Sequence, residues 1–247
     1  MRTALAGLIF LLAAGSAAAG QFDGDADALI GWRGMTNHDF WGNQRFIGTD
    51  GSGTRDQTVF GVQGNFGVDT FPINAELGII GSNRTKEFQG FGLKVTDSVS
   101  EISLGFIWRP MKNEMVQPYI GAGIASVAVH EKQEFSAVGT FEDNDSSVGG
   151  YAHAGLKVLI AHHVNVGIDV RGMRGTKVRL FDPVLGAYVD GDANYNQVTL
   201  RAGYSWGTRS VPEAPRHERR QRGERRLQDR RRGVTVEAPE DDAPVGF

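Results

Sequence analysis

The sequence predicts an all-β fold, an eight-stranded antiparallel up-and-down transmembrane β-barrel with a disordered C-terminal tail. Three observations carry that expectation. Eight segments alternate apolar and polar residues, the period of two that a strand imposes on its faces. The connections between them run long, short, long, short along the chain. Glycines recur on the polar face of these segments and leave the apolar face intact.

The chain has 247 residues, 40% hydrophobic content and a formal net charge of -3. The length suits one all-β domain, and the charge marks no nucleic-acid partner. There are 34 glycines against 8 prolines without a G-X-Y period, which excludes collagen. Cysteine is absent, which removes disulfides, thiolate metal sites, Cys nucleophiles and an N-terminal lipidated Cys.

Residues 1–19 read as a cleaved secretory signal. Arg2 gives a positive start, Leu5 to Ala14 an apolar stretch, and Ala17-Ala18-Ala19 a small-residue cleavage site. The apolar stretch is too short for a membrane span, and no later run is long enough for a helical one. A chain like this crosses a membrane with strands.

The first strand, 28–34, sets Ile30 and Trp32 against Gly31 and Arg33. The second, 58–68, opposes Phe60, Val62, Phe66 and Val68 to Gly61, Gln63, Asn65 and Gly67. In the third, 73–79, Ala75, Leu77 and Ile79 oppose Asn74, Glu76 and Gly78. The fourth, 100–108, places Ile102, Leu104, Phe106 and Trp108 opposite Glu101, Ser103 and Gly105. The fifth, 117–130, carries Tyr119, Gly121, Gly123 and Ala125 on one face and Ile120, Ala122, Ile124 and Ser126 on the other. The sixth, 150–160, opposes Ala152, Ala154, Leu156 and Val158 to Tyr151, His153, Gly155 and Lys157. The seventh, 165–171, opposes Val166, Ile168 and Val170 to Asn165, Gly167, Asp169 and Arg171. In the eighth, 198–206, Val198, Leu200, Ala202, Tyr204 and Trp206 oppose Thr199, Arg201, Gly203 and Ser205.

Long polar connections are expected at 37–56, 82–97, 131–147 and 172–195, and short ones at 69–72, 109–116 and 161–164. Outer-membrane barrels alternate in this way, with short periplasmic turns and longer extracellular loops. An eight-stranded barrel has an interior just wide enough for side chains. If Gln63, Glu76, Glu101, His153 and Arg201 point inward, their inward neighbours must be small. Gly61, Gly78, Gly105, Gly121, Gly123, Gly155, Gly167 and Gly203 share that face by parity. Trp108, Tyr204 and Trp206 fall near strand ends, where an interfacial aromatic girdle would sit.

Over 28–206 the chain resembles the eight-stranded bacterial outer-membrane barrels, namely the OmpA transmembrane domain and OmpW-like proteins. PYIGAGI (118–124), opening a strand after a short turn, carries part of that resemblance. The last strand carries the rest, since Arg201, Gly203 and Trp206 are similar to a barrel-assembly signal. The resemblance implies outer-membrane lipid and lipopolysaccharide as neighbours, and barrel-assembly machinery as the reader of the last strand. Two departures are that the last strand is not the terminus and that no peptidoglycan-binding domain is expected after it. Eight crossings would return the chain to its starting side, leaving both N- and C-termini periplasmic.

Parity places Arg33, Glu76, Glu101, Lys157, Asp169, Arg171 and Arg201 in the lumen, where charges are costly unless paired. They are expected to form an ion network, either structural or a gate. No catalytic, cofactor or metal site is expected. Ser126 and His130 share a face, but four residues of strand separate them by ~13 Å, beyond the reach of a nucleophile and base. His153 is expected as a hydrogen-bonded lumen residue, and the adjacent His162 and His163 fall in a short turn. The acidic Glu142-Asp143-Asn144-Asp145 falls in a long loop and lacks the spacing and Gly of a calcium loop.

Three segments result: a signal peptide 1–19, a barrel 20–207 and an Arg-rich tail 208–247. Within the tail, Arg216 to Arg232 holds nine arginines and no apolar face, so it cannot offset its ordering entropy. A periplasmic anionic surface is the partner such a tail could take. The expected function is that of a non-enzymatic outer-membrane barrel with a packed polar lumen, structural or serving small-molecule passage or binding. The alternatives are a lipid A-modifying barrel enzyme and an adhesion or interaction protein acting through its long loops.

Overall fold

The computed structural model describes residues 22–41 and 53–207, apart from 69, 89–91, 113, 138, 161, 162 and 184. The signal peptide, the tail, His162 and most of the first long connection lie outside the described residues.

Eight strands pair antiparallel in a closed ring, with the barrel order β1-β10-β7-β6-β5-β4-β3-β2. They are β1 (Phe22–Met35), β2 (Asp56–Val68), β3 (Ile73–Phe88), β4 (Leu93–Trp108), β5 (Val116–Phe135), β6 (Gly139–Leu159), β7 (Val164–Arg174) and β10 (Tyr195–Trp206). A short helix α1 (His38–Trp41) follows β1, and a separate two-stranded sheet, β8 (Val178–Asp182) with β9 (Ala187–Gly191), is inserted before β10. The ring shuts where β1 meets β10, from Gly24 opposite Trp206 to Met35 opposite Tyr195. No described helix is long and apolar enough to cross a membrane. The wall crosses with strands.

The outer face is apolar, with Ile30, Leu104, Phe106, Ile124 and Leu200 all more than half exposed. Trp108 and Tyr204 point outward at the short-turn end, and the Trp206 ring lies across Gly24. The inward glycines make the room that the filled lumen requires. A Cβ on Gly121 would stand 2.0 Å from His153 Nε2, and one on Gly123 would stand 2.2 Å from the Leu104 carbonyl and 2.8 Å from Tyr151 Oη.

Three expectations about the connections are corrected. The stretches 82–97 and 131–147 are not loops but paired hairpins, continuing to Phe88 opposite Leu93 and to Phe135 opposite Gly139. The inner face of these hairpins is buried but mixed, with Phe88, Leu93 and Val95 beside Asp97, Glu131 and Gln133, so the sequence lacks the clean apolar alternation that flags a half-buried strand. β6 alone has 21 residues, about twice the ~9–11 needed to cross a bilayer. The connection 172–195 likewise holds β8 and β9 rather than irregular chain. The first strand also starts at Phe22 instead of 28, because its outward Gly24 and Ala26 are small rather than conspicuously apolar.

At the hairpin end an apolar cluster closes the lumen. Met35, Phe40, Trp41, Val127, Val129, Met173, Leu180 and Tyr195 belong to it. Asn37 caps α1 by accepting the Phe40 N–H at 3.1 Å, and Trp41 Nε1 donates to the Asp192 carbonyl at 2.7 Å.

Two substitutions separate the faces. Gly123→Leu forces volume onto backbone and Tyr151, whereas Ile124→Leu exchanges one lipid-facing apolar group for another. The first is expected to cut the folded, membrane-inserted fraction sharply and the second to leave it unchanged. Equal abundance and heat stability would contradict the packed lumen. Leu104→Arg in the apolar belt is expected to cost about 2–4 kcal/mol near the bilayer midplane. Thr140→Arg, on the exposed hairpin, is expected to be tolerated in the same unfolding titration.

Candidate functional site

The lumen is stacked in three charged layers. Nearest the short turns, Arg109 bridges two aspartates, with Nη2 at 2.6 Å from Asp23 and Nη1 at 2.7 Å from Asp25. Lys112 Nζ lies 3.2 Å from Asp23 and donates to the Val68 and Phe71 carbonyls at 2.7 and 2.9 Å. Ser205 Oγ and Asn65 Nδ2 donate to the Asp25 carboxylate.

The middle layer joins acids and bases from facing strands. Lys157 Nζ sits 2.9 Å from Asp25 and 3.0 Å from Asp27. Arg201 Nη2 meets Asp27 at 2.7 Å, and its Nη1 lies 3.6 Å from Asp169. His153 spans two carboxylates, with Nδ1 at 2.8 Å from Asp169 and Nε2 at 3.2 Å from Glu76. Tyr119 Oη donates to Asp169 and Tyr151 Oη to Glu76, each at 2.9 Å.

The upper layer is centred on Glu101. Arg33 Nη2 donates to it at 3.0 Å, Tyr195 Oη at 2.5 Å, and Arg171 Nη2 pairs with its other oxygen. Arg33 lies over the Tyr195 ring at 3.8 Å and Arg171 over the Tyr151 ring at 3.6 Å, so each guanidinium also has an aromatic face.

All seven charged residues singled out from parity point into the lumen. The structure unites Arg33, Glu101 and Arg171, and sets Arg201 beside Asp169. It does not join Glu76 or Lys157 to any other of the seven. Glu76 faces His153, and Lys157 faces aspartates of β1. Sequence reasoning missed Asp23, Asp25, Asp27, Arg109 and Lys112. The three aspartates carry a period-two signal that could have found them, while Arg109 and Lys112 fold inward from a turn that has no periodicity.

In these layers six carboxylates (Asp23, Asp25, Asp27, Glu76, Glu101, Asp169) meet six Arg or Lys (Arg33, Arg109, Lys112, Lys157, Arg171, Arg201), with His153 between two of the acids. Arg33 and Arg109 are 0% exposed, and Lys157, Arg171 and Glu101 are 1%. A side chain lining an aqueous channel would show accessible surface. These show none.

Other candidates do not assemble. Ser126 and His130 point outward from β5, opposite Ile102 and Ser98. His163 stacks on Tyr204 with ring centroids 5.1 Å apart, and its Nδ1 is 3.0 Å from the Ser205 carbonyl. The acidic stretch Glu142–Asp145 lies in β6, not in a loop as expected. Its Asp143 and Asp145 accept the backbone N–H groups of Phe181 and Arg179, each at 2.6 Å, and so dock the edge of β8.

Residues 3–206 match the family described as the outer membrane protein beta-barrel domain. The chain belongs to that family. Family membership and the closed ring of lipid-facing strands make this a bacterial outer-membrane β-barrel protein. Similar solved structures include Ail, the attachment invasion locus protein of Yersinia pestis, at 12% identity and a TM-score of 0.46, covering 76% of this chain and 99% of Ail. Neisserial surface protein A is 12% identical with a TM-score of 0.44, over 76% of this chain and 97% of its own. The N-terminal β-barrel domain of Pseudomonas aeruginosa OprF is 12% identical with a TM-score of 0.40, over 74% and 99%. No curated protein sequence matches the chain.

Glu101→Ala is expected to leave Arg33 and Arg171 buried without their shared carboxylate. Breaking a buried pair in this way costs about 3–5 kcal/mol. Urea unfolding of the folded barrel in micelles is expected to show a loss of that size, and a loss under about 1 kcal/mol would contradict the network's contribution.

Proposed function

We propose that this outer-membrane barrel is a non-enzymatic, non-conducting anchor that carries a rigid hairpin platform at the cell surface. The observation that carries the reading is the double closure of the lumen. Three layers of paired charges fill it, and the apolar cluster around Trp41, Met173 and Leu180 covers one end. A structural role therefore suits the barrel better than passage of small molecules. Ser126 and His130, the serine and histidine that share a face of β5, both point outward and stand opposite Ile102 and Ser98 rather than each other, which argues against the lipid A-modifying alternative.

In this reading the hairpins are extracellular and both termini periplasmic. Outer-membrane lipid and lipopolysaccharide contact the apolar belt, and β10 is the strand presented to the barrel-assembly machinery. The arginines of residues 208–247 would then meet an anionic periplasmic surface, each contributing about 1 kcal/mol close to charged head groups.

Two experiments test the reading. In planar bilayers the purified full chain is expected to give no steady conductance at about 100 mV, and reproducible discrete channels would overturn the closed barrel. Protease added to intact cells is expected to cut near Leu185, in the β8–β9 turn, and to spare the tail. Loss of the tail from outside would overturn the topology.

A further inference from the structure

The lipid-facing wall is not evenly ridged. Across β4 to β7 it sinks into an open groove of about 770 Å³, which slants from Ile73 and Trp108 near the short turns to Gly172 near the hairpins. Register makes its floor. Ala122 stands opposite Ala152, and Ala152 opposite Gly172, so three neighbouring strands present small outward residues in one row. Ile120 and Ile124 bound that row on β5 and stand ~13 Å apart at ~3.3 Å per residue. Between their side chains an acyl chain can lie, whereas a helix of ~10–12 Å diameter cannot enter. From β3 to β7 the groove crosses four strand spacings, ~19 Å at ~4.8 Å each.

A cation stands at its upper end. A Cβ on Gly172 would lie 4.0 Å from Arg174 Nη1, so the groove leads to the guanidinium. Arg174 is exposed and ends β7, a strand of 11 residues that begins at Val164 by a short turn. At ~3.3 Å per residue and a tilt of ~40°, it stands ~25 Å above Val164, which is the height of the apolar band. Arg174 therefore lies at the hairpin-side interface, at the level of lipid headgroups.

The side chain is held but not neutralised. Nη1 donates to the Met173 and Tyr195 carbonyls at 2.6 and 2.8 Å, and Nη2 to Asn196 Oδ1 at 2.8 Å. No carboxylate is among these partners, and Nε–H and the second Nη2–H are left for an outside acceptor. Other hairpin cations differ, since Lys94 and Lys132 pair with Glu134 and Arg179 with Asp190. A second, smaller dimple of about 170 Å³ over Ala28 and Gly64 has no cation in its lining. A fixed positive charge at the mouth of an apolar trough is complementary to an anionic amphiphile.

We propose that this groove is a binding site for lipid A, the phosphorylated and multiply acylated glycolipid of the outer leaflet. One headgroup phosphate accepts from Arg174 Nε and Nη2, and one acyl chain runs over Gly172, Ala152 and Ala122 toward Phe106. The site gives the general lipid contact of the belt a fixed position on β5 to β7. It rests on the proposed topology, because only outward-facing hairpins put Arg174 in the outer leaflet.

The test extracts the full chain from outer membranes in a neutral detergent and weighs it by native mass spectrometry. One retained lipid A per barrel is expected, and a retained phospholipid instead, or no retained lipid, would overturn the assignment. Delipidated protein is then titrated with purified lipid A and with lipid A stripped of its phosphates. The stripped form and Arg174→Gln are each expected to bind about tenfold more weakly, the loss of a hydrogen bond to a charged group. Ala152→Leu fills the floor from the lipid side and is expected to weaken binding comparably, which keeps the test valid if Arg174→Gln fails to fold. Ala28→Leu, in the dimple without a cation, is expected to bind as the wild type does. Equal affinity of the wild type and the folded Arg174 and Ala152 variants would overturn the site. That failure leaves the closed-barrel reading intact, because conductance and protease topology measure it separately.

Discussion

An eight-stranded ring leaves an interior only as wide as the side chains that fill it, and this constraint governs the rest of the molecule. Each large inward residue needs a small one beside it. His153 therefore lies over Gly121, Tyr119 over Gly155, and Tyr151 over Gly105 and Gly123. Each inward charge also needs a partner within a few ångströms, because burial removes it from bulk solvent. Steric and electrostatic complementarity are the same requirement here. Two tyrosines that occupy the space over the glycines, Tyr151 and Tyr119, are also the donors that meet Glu76 and Asp169.

The same strands pass through three environments, and their sequences change accordingly. In the wall, period-two alternation separates lipid from lumen. Beyond the wall, β5 and β6 pair for many residues, with Lys132 opposite Glu142 on the outer face and the buried Glu131 opposite Asp143 on the inner one. At the junction, buried apolar residues turn inward instead of outward, as with Val127, Val129 and Met173. That inversion seals the charged layers from the solvent above them.

These environments explain what was legible in the sequence. Parity was sufficient wherever a strand had lipid on one side, so the eight strands and the inward placement of Arg33, Glu101 and Arg171 could be read directly. It failed where the inner face mixed apolar with polar residues, as Val95 with Asp97 or Phe135 with Gln133, which turned 82–97 and 131–147 into apparent loops. It could not supply pairing. Lys157 faces Asp25 and Asp27 across the barrel, partners 132 and 130 residues away in sequence, and no local pattern encodes such a contact. Arg109 and Lys112 were illegible for a different reason, because a short turn tucks them into the lumen and turns carry no face.

A lumen of ion pairs calls for explanation, since buried pairs add little net stability over apolar packing of the same volume. Register supplies it. In a barrel wall a slip of one residue moves every inward side chain outward. For this chain such a slip would put Glu101, Asp169, Arg171 and Arg201 against lipid, where an arginine near the midplane costs about 2–4 kcal/mol. A lumen of leucines would carry no such penalty, because leucine is as comfortable in lipid as inside. Charges therefore distinguish the two faces of each strand in the way that burial alone does for a water-soluble sheet. The same set of six acids and six bases that fills the lumen also fixes which way each strand faces.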